Sequence, residues 1–205
     1  MTAGSRVRIL STLLIVAGIA LILSPLAWVA YTGFQIGPAQ ADALAAWEQS
    51  EIAPDLAGPS GPAAASGSRT LLLSIPRLRL TRVVPTGASV AHLRRHGVGR
   101  ISWTPLPGHP GVVGIAGHRT TYGAPFFRLG RLAPGDQIHL TYGGRRFNYV
   151  VTARRVVRPN QVDILRADPG EQLVALITCT PVYSAKYRLV IVGRLQATSP
   201  VSAAP

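Results

Sequence analysis

The sequence holds a single cysteine, Cys179, and a single lysine, Lys186, in 205 residues. One thiol excludes a disulfide framework within the chain, and no Cys/His spacing of the zinc-finger kind is present. Acid is scarce as well: eight Asp and Glu stand against 21 Lys and Arg, a net charge of +13. Aromatic residues make up only 6%. Neither a helix-turn-helix pattern nor a basic-aromatic RNA signature accompanies the positive charge, so nucleic acid is not an expected partner. The arginines are scattered through strand-like segments, which suits nonspecific attraction to an anionic envelope or a solvated Arg-rich surface.

Charge is also missing from residues 9–31, "ILSTLLIVAGIALILSPLAWVAY". At about 1.5 Å per residue this run is long enough for a hydrocarbon core of roughly 30 Å. Arg6 and Arg8 precede it, and Asp42, Glu48, Glu51 and Asp55 follow. That asymmetry predicts a cytoplasmic N-terminus (1–8), a single-pass anchor in the cell membrane (9–31) and an extracytoplasmic remainder. Ala39-Gln40-Ala41 resembles a signal-peptidase site, but it lies well beyond an apolar run already longer than a signal core of about 7–15 residues. A short juxtamembrane helix is expected over 42–52, then a flexible Ala/Pro/Gly/Ser tether to residue 68. The folded domain should occupy 69–196, followed by a frayed tail, 197–205.

Within that domain the fold class reads as mainly β. "RTLLLSIPRLRLTRVV" gives two runs broken by Pro76, and "ASVAHLRRHGVG" suits a short helix. "GVVGIAGH" is a small-residue strand ending at His118, and "QIHLTYGGRRFNYVVTARRVV" is a hairpin about Gly143-Gly144. "QLVALITC" and "YRLVIVGRL" complete seven or eight strands, a barrel or sandwich rather than a doubly wound sheet.

Cys179 ends one apolar strand, just before Thr180-Pro181. A nucleophilic thiol needs access and a nearby base or cation. His118, at another strand end, can shuttle protons, and Arg188, opening the next strand, can hold an oxyanion with its planar fork. A buried structural thiol is the competing assignment, but an exported unpaired thiol is exposed to oxidation and calls for a use. His92 and His96, four apart, have no evident third partner, so no metal site is expected. His109 and His139 read as ordinary surface or strand residues, and Lys186 as solvated.

"GIAGHRTTYGAPFFRLGRLAPGDQI", "ALITCTP" and "YRLVIVGRL" together resemble the sortases, membrane-anchored cysteine transpeptidases of Gram-positive bacteria, over essentially all of 71–196. "GHRTTYGAPF" and "CTPVYSAKYRL" look most like the class E members of actinobacteria. The resemblance implies a closed β-barrel of seven or eight strands with one or two short helices, behind one transmembrane helix. It makes Cys179 the nucleophile, His118 the acid-base and Arg188 the oxyanion and substrate-backbone ligand. Thr178 would help shape the substrate pocket, and Tyr122 would sense the second position of a Leu-Ala-x-Thr-Gly or Leu-Pro-x-Thr-Gly motif. Implied partners are surface proteins bearing a C-terminal sorting signal and a peptidoglycan precursor supplying the acceptor amine; no cofactor is implied. "GRISWTPLPGHPG" departs from the family's usual segment there. Two other functions use parts of the same sequence: a thiol peptidase that only hydrolyses, and a non-catalytic basic β-domain that binds the envelope.

Overall fold

Alternation in "LLLSI" is the local rule from which the barrel grows: Leu71, Leu73 and Ile75 are buried, whereas Leu72 and Ser74 are half-buried. The structure, a computed structural model, describes residues 3–52 and 70–201. The expected tether over 53–68 lies outside the described residues. After β1 (Leu71–Ile75), Pro76 opens a 3-10 turn and Arg79, at φ 49°, feeds the chain back into β2 (Leu80–Val84). The two strands pair antiparallel, as the proline break suggests. Ser89 accepts the His92 N–H and caps α2 (Val90–His96). Six strands follow: β3 (Val98–Arg100), β4 (Gly111–Gly117), β5 (Gln137–Tyr142), β6 (Arg145–Val157), β7 (Gln172–Thr180) and β8 (Tyr187–Pro200).

The eight strands form one sheet in the order β2-β1-β5-β6-β8-β7-β4-β3. Its two edges meet at a seam. Gly87 N–H donates to the Arg100 carbonyl at 2.8 Å and Arg100 N–H to the Pro85 carbonyl at 2.9 Å. The result is a nearly closed barrel, which leaves little free strand edge. Arg100, 7% exposed, finishes the seam by donating to the carbonyls of Ile101 and Thr104. The β5–β6 turn uses Gly143 and Gly144 at φ 58° and 69°, the backbone sign that a two-residue hairpin requires. Register shifts at Asn148/Tyr149 and Val151/Ala153 let the long β6–β8 ribbon curve.

Leu73, Ile75, Ile115, Phe126, Ile138, Leu140, Leu176 and Ile191 fill the barrel at 0% exposure. A smaller cluster lies outside it, where Val112, Ala175 and Val190 are covered by Leu165, Ile177 and their neighbours. Strands β4, β7 and β8 are thus buried on both faces, which is why "LVALI" and "LVIV" read as unbroken apolar runs.

Two boundaries differ from the sequence expectation. Strand β8 continues to Pro200, with Ala197 opposite Asn148 and Pro200 opposite Arg145, so residues 197–200 are ladder rather than tail. The 13-residue β6 offers backbone groups along its whole length, and β8 satisfies them. Helix α1 (Ala3–Ile52) is likewise continuous through both the expected span and the expected juxtamembrane helix. Pro25 cannot bond the Leu21 carbonyl, and the Ser24 hydroxyl donates to that oxygen at 3.0 Å instead. Among the described residues α1 is the one helix long and apolar enough to cross a membrane.

Candidate active site

Strands β4 and β7 run parallel, and their last paired residues are Ala116 and Ile177. His118 and Cys179 each follow two positions on, so the register brings them to adjoining strand ends. On the other side of β7 the antiparallel ladder sets Arg188 opposite Cys179 and Val190 opposite Ile177. Alternation then puts Ile177, Cys179, Arg188 and Val190 on one face of the sheet, outside the barrel. That face floors a cleft of about 430 Å³ lined by Ala116, Ile177, Arg188 and Val190. Its walls are the β6–β7 connection, including Val162 and Leu165, and the exposed Trp103. Trp103 lies in the segment "GRISWTPLPGHPG". Cys179 is a free, half-buried thiol next along β7 from this floor.

Thr178 points the other way. It is 2% exposed, and its hydroxyl donates to the Gly117 carbonyl at 2.8 Å. The residue before the thiol therefore grips the residue before the histidine. Gly117 has no room for a side chain: a Cβ there would stand 2.6 Å from a Phe126 ring carbon. Phe126 N–H in turn donates to the His118 carbonyl at 3.1 Å, and His118 N–H donates to the Gly97 carbonyl at 3.0 Å.

The His118 side chain is half-buried. Its Nε2 is buried without a hydrogen-bond partner, and the ring lies 4.8 Å from that of Tyr122, centroid to centroid. Burial, reinforced by the positive charge of Arg94, pushes its pKa below the ordinary imidazole value. Tyr122 does not line the 430 Å³ cleft; it borders a second recess of about 300 Å³ beside α1, Arg82, His96 and Pro125. Its nearest aromatic neighbour is therefore the His118 imidazole rather than the floor along β7 and β8.

The Arg188 guanidinium donates from Nη1 to the carbonyls of Ala185 at 2.9 Å and Tyr187 at 3.1 Å, bracing the β7–β8 loop. A second arginine escaped the sequence reasoning. Arg119 Nη1 donates to the Cys179 carbonyl at 3.1 Å, and its Nε is buried without a partner. Burial, and then Arg154, lower its pKa, while Cys179 opposes that shift. Its position beside His118 was the available signal, but nothing in one sequence shows that the β4 end lies against the β7 end.

Lys186 is exposed, its Nζ 5.5 Å from the Tyr187 ring centroid. The His92 and His96 rings lie 4.5 Å apart, and His92 is wedged against Gly87 and Gly99. Among the described residues no group of three His, Cys, Asp or Glu is gathered to hold a metal. His139 Nδ1 lies 2.7 Å from Asn148 Oδ1 on the facing strand, and His109 is exposed.

The sortase domain profile matches residues 73–196. The chain is 30% identical over 154 residues to Sortase SrtE1 of Streptomyces coelicolor, covering 66% of this chain and 43% of that protein. It is 27% identical over 132 residues to Sortase D of Bacillus subtilis, 63% of this chain and 65% of that one. The matches thus span less than two thirds of either curated relative. A crystal structure of Sortase E1 from Streptomyces coelicolor, with a tripeptide in the active site, superposes with a TM-score of 0.59 at 31% identity, over 66% of this chain and 93% of that one. A profile running almost from the first barrel strand to the last makes this chain a member of the sortase family, whose members are cysteine transpeptidases.

Proposed function

We propose that the protein is a membrane-anchored transpeptidase that cuts a C-terminal Leu-Ala-x-Thr-Gly or Leu-Pro-x-Thr-Gly sorting motif between Thr and Gly. It then joins the threonine to an amine of a peptidoglycan precursor. In the first step Cys179 Sγ attacks the threonine carbonyl and the thiol proton passes to His118. As the C–N bond breaks, His118 returns that proton to the departing glycine amine, leaving a thioester. The acceptor amine then attacks the thioester and gives a proton to His118, which restores the thiol as the C–S bond breaks. Arg188 would release a loop carbonyl to meet the oxyanion of each tetrahedral intermediate. Arg119 braces the Cys179 backbone, and Thr178 keeps the two strand ends together. Tyr122 is assigned to the histidine side of the motif's path, where the second motif position would be read. Helix α1 would span the membrane with the barrel outside the cell.

The observation that carries this reading is the register of β4, β7 and β8, which gathers histidine, thiol and arginine at three adjoining strand ends beside a cleft. The tripeptide held by the Streptomyces coelicolor relative supports a peptide as the occupant of that cleft. The test uses the full chain in nanodiscs with both peptides, with and without a glycine-like amine, read by mass spectrometry. Amine-dependent ligation that vanishes in Cys179→Ala is expected. Cleavage without ligation under any amine would favour a hydrolase, and no thioester adduct with either peptide would refute the motif assignment.

A further inference from the structure

Past the expected span, α1 lies against the barrel. Thr32, Ile36 and Gln40 are 4%, 6% and 7% exposed, and their spacing of four puts them on one helix face. Buried polar side chains need partners, and these two find them across the interface. Gln40 Oε1 accepts the Val83 N–H at 3.1 Å, and Nε2 lies 3.2 Å from the carbonyls of Val83 and His96. Both ends of the amide are thus used by β2 and the end of α2. Thr32 Oγ1 donates to Val29 within the helix and accepts the Tyr122 N–H, both at 3.1 Å. Between them Ile36 meets Gly123, where a Cβ would stand 3.7 Å from the isoleucine Cβ.

The loop so contacted is strained. Tyr122, Gly123 and Ala124 have φ of 51°, 74° and 42° in succession. Left-handed backbone at non-glycine residues is costly and persists where its surroundings over-determine it. The loop supplies two of its own restraints, Ala124 N–H to the Thr121 carbonyl at 2.9 Å and Phe126 N–H to that of His118 at 3.1 Å. The third comes from Thr32, on α1.

We propose that residues 32–40 of α1 are a positioning element of the active site. Seated by Gln40 and Ile36, the helix holds through the Thr32 hydroxyl the turn whose Tyr122 ring backs His118. The helix that anchors the chain then also sets the imidazole. Because Thr32 directly follows the 9–31 span, docking further places the His118 side of the barrel at the membrane surface. The inference rests on the acid-base role proposed for His118.

Two measurements on the full chain in nanodiscs test it. A disulfide needs Cβ atoms about 3.5–4.5 Å apart. In a Cys179→Ala background, Ile36→Cys with Gly123→Cys is therefore expected to oxidise fully under mild conditions. Tyr31→Cys with Gly123→Cys, on a different helix face, is expected to stay reduced. Equal oxidation of the two pairs, or none in the first, would overturn the docking. With Cys179 intact, Thr32→Val is expected to lower kcat about tenfold with KM changed by less than about twofold, and to speed hydrogen exchange of the Tyr122 amide. Thr32→Ser, which keeps the hydroxyl, is expected to match wild type in both. Thr32→Val with wild-type exchange and kcat, or Thr32→Ser as impaired as Thr32→Val, would overturn the positioning role. A wild-type chain that turns over no sorting peptide would remove the proposed function, while the cross-link and the amide exchange would still decide the docking and the restraint.

Discussion

Thr178→Val isolates the contact that ties the thiol strand to the histidine strand. The change is close to isosteric, and at 2% exposure no water reaches the site to replace the hydroxyl. It removes the 2.8 Å bond to the Gly117 carbonyl and leaves the packing. Loss of one buried hydrogen bond costs about 1–2 kcal/mol, a fall in Tm of about 3–10 °C for a domain of this size. Thr178→Ser supplies the control. It keeps the hydroxyl but loses a buried methyl, which costs a similar ~1 kcal/mol. The two variants are expected to melt within a few degrees of each other while separating in turnover. Without the bond the His118 end of β4 is free to shift relative to Cys179, so kcat should fall about tenfold in Thr178→Val and less than about twofold in Thr178→Ser. Calorimetry gives the first comparison, and initial rates of thioester formation give the second. Equal kcat in the two variants would refute the idea that this hydroxyl couples the strand ends.

Arg188→Lys replaces the planar fork with a single point-like ammonium that cannot present two nitrogens in one plane, and kcat should fall about 100- to 1,000-fold with the fold intact; rates near wild type would sink the oxyanion assignment. Arg119→Met removes the brace on the Cys179 carbonyl and a half-buried cation together, so a fall in kcat without loss of Tm is expected from paired kinetics and melting. For pH, burial and then Arg94 hold the folded-state pKa of His118 below its unfolded value of about 6.5. The unfolded chain therefore binds more protons between those two values, and stability contributed by neutral His118 is lost as pH falls through that window. His118→Gln should flatten the acid side of the stability curve, with the remaining slope assigned to His96, whose pKa is lowered by burial, His92 and Arg95. Arg94→Gln should move the His118 limb of the kcat/KM profile upward, and an unmoved limb would exclude that arginine as a cause.

Much of this protein was legible in order of residues because its signals are local. The charge-free run from Ile9 marks the helix, Pro76 marks the break between β1 and β2, and Gly143-Gly144 marks the hairpin. Strand ends at His118 and Cys179 follow from apolar runs meeting Arg-Thr and Thr-Pro. The sequence by itself thus determined a mainly β domain behind an apolar helix, with one thiol and few candidates to serve it. What only the tertiary structure decided is which ends meet. The parallel pairing of β4 with β7 joins residues some sixty positions apart, and no local pattern encodes it. That pairing brought Arg119 onto the Cys179 carbonyl and Thr178 onto Gly117. The same holds for α1: Thr32, Ile36 and Gln40 form a visible stripe at spacing four, but Gly33, Gly37 and Pro38 among them suggest a break. Burial against β2, α2 and the Tyr122 turn supplies partners that helix propensity does not, and the helix continues because its polar side chains are satisfied there.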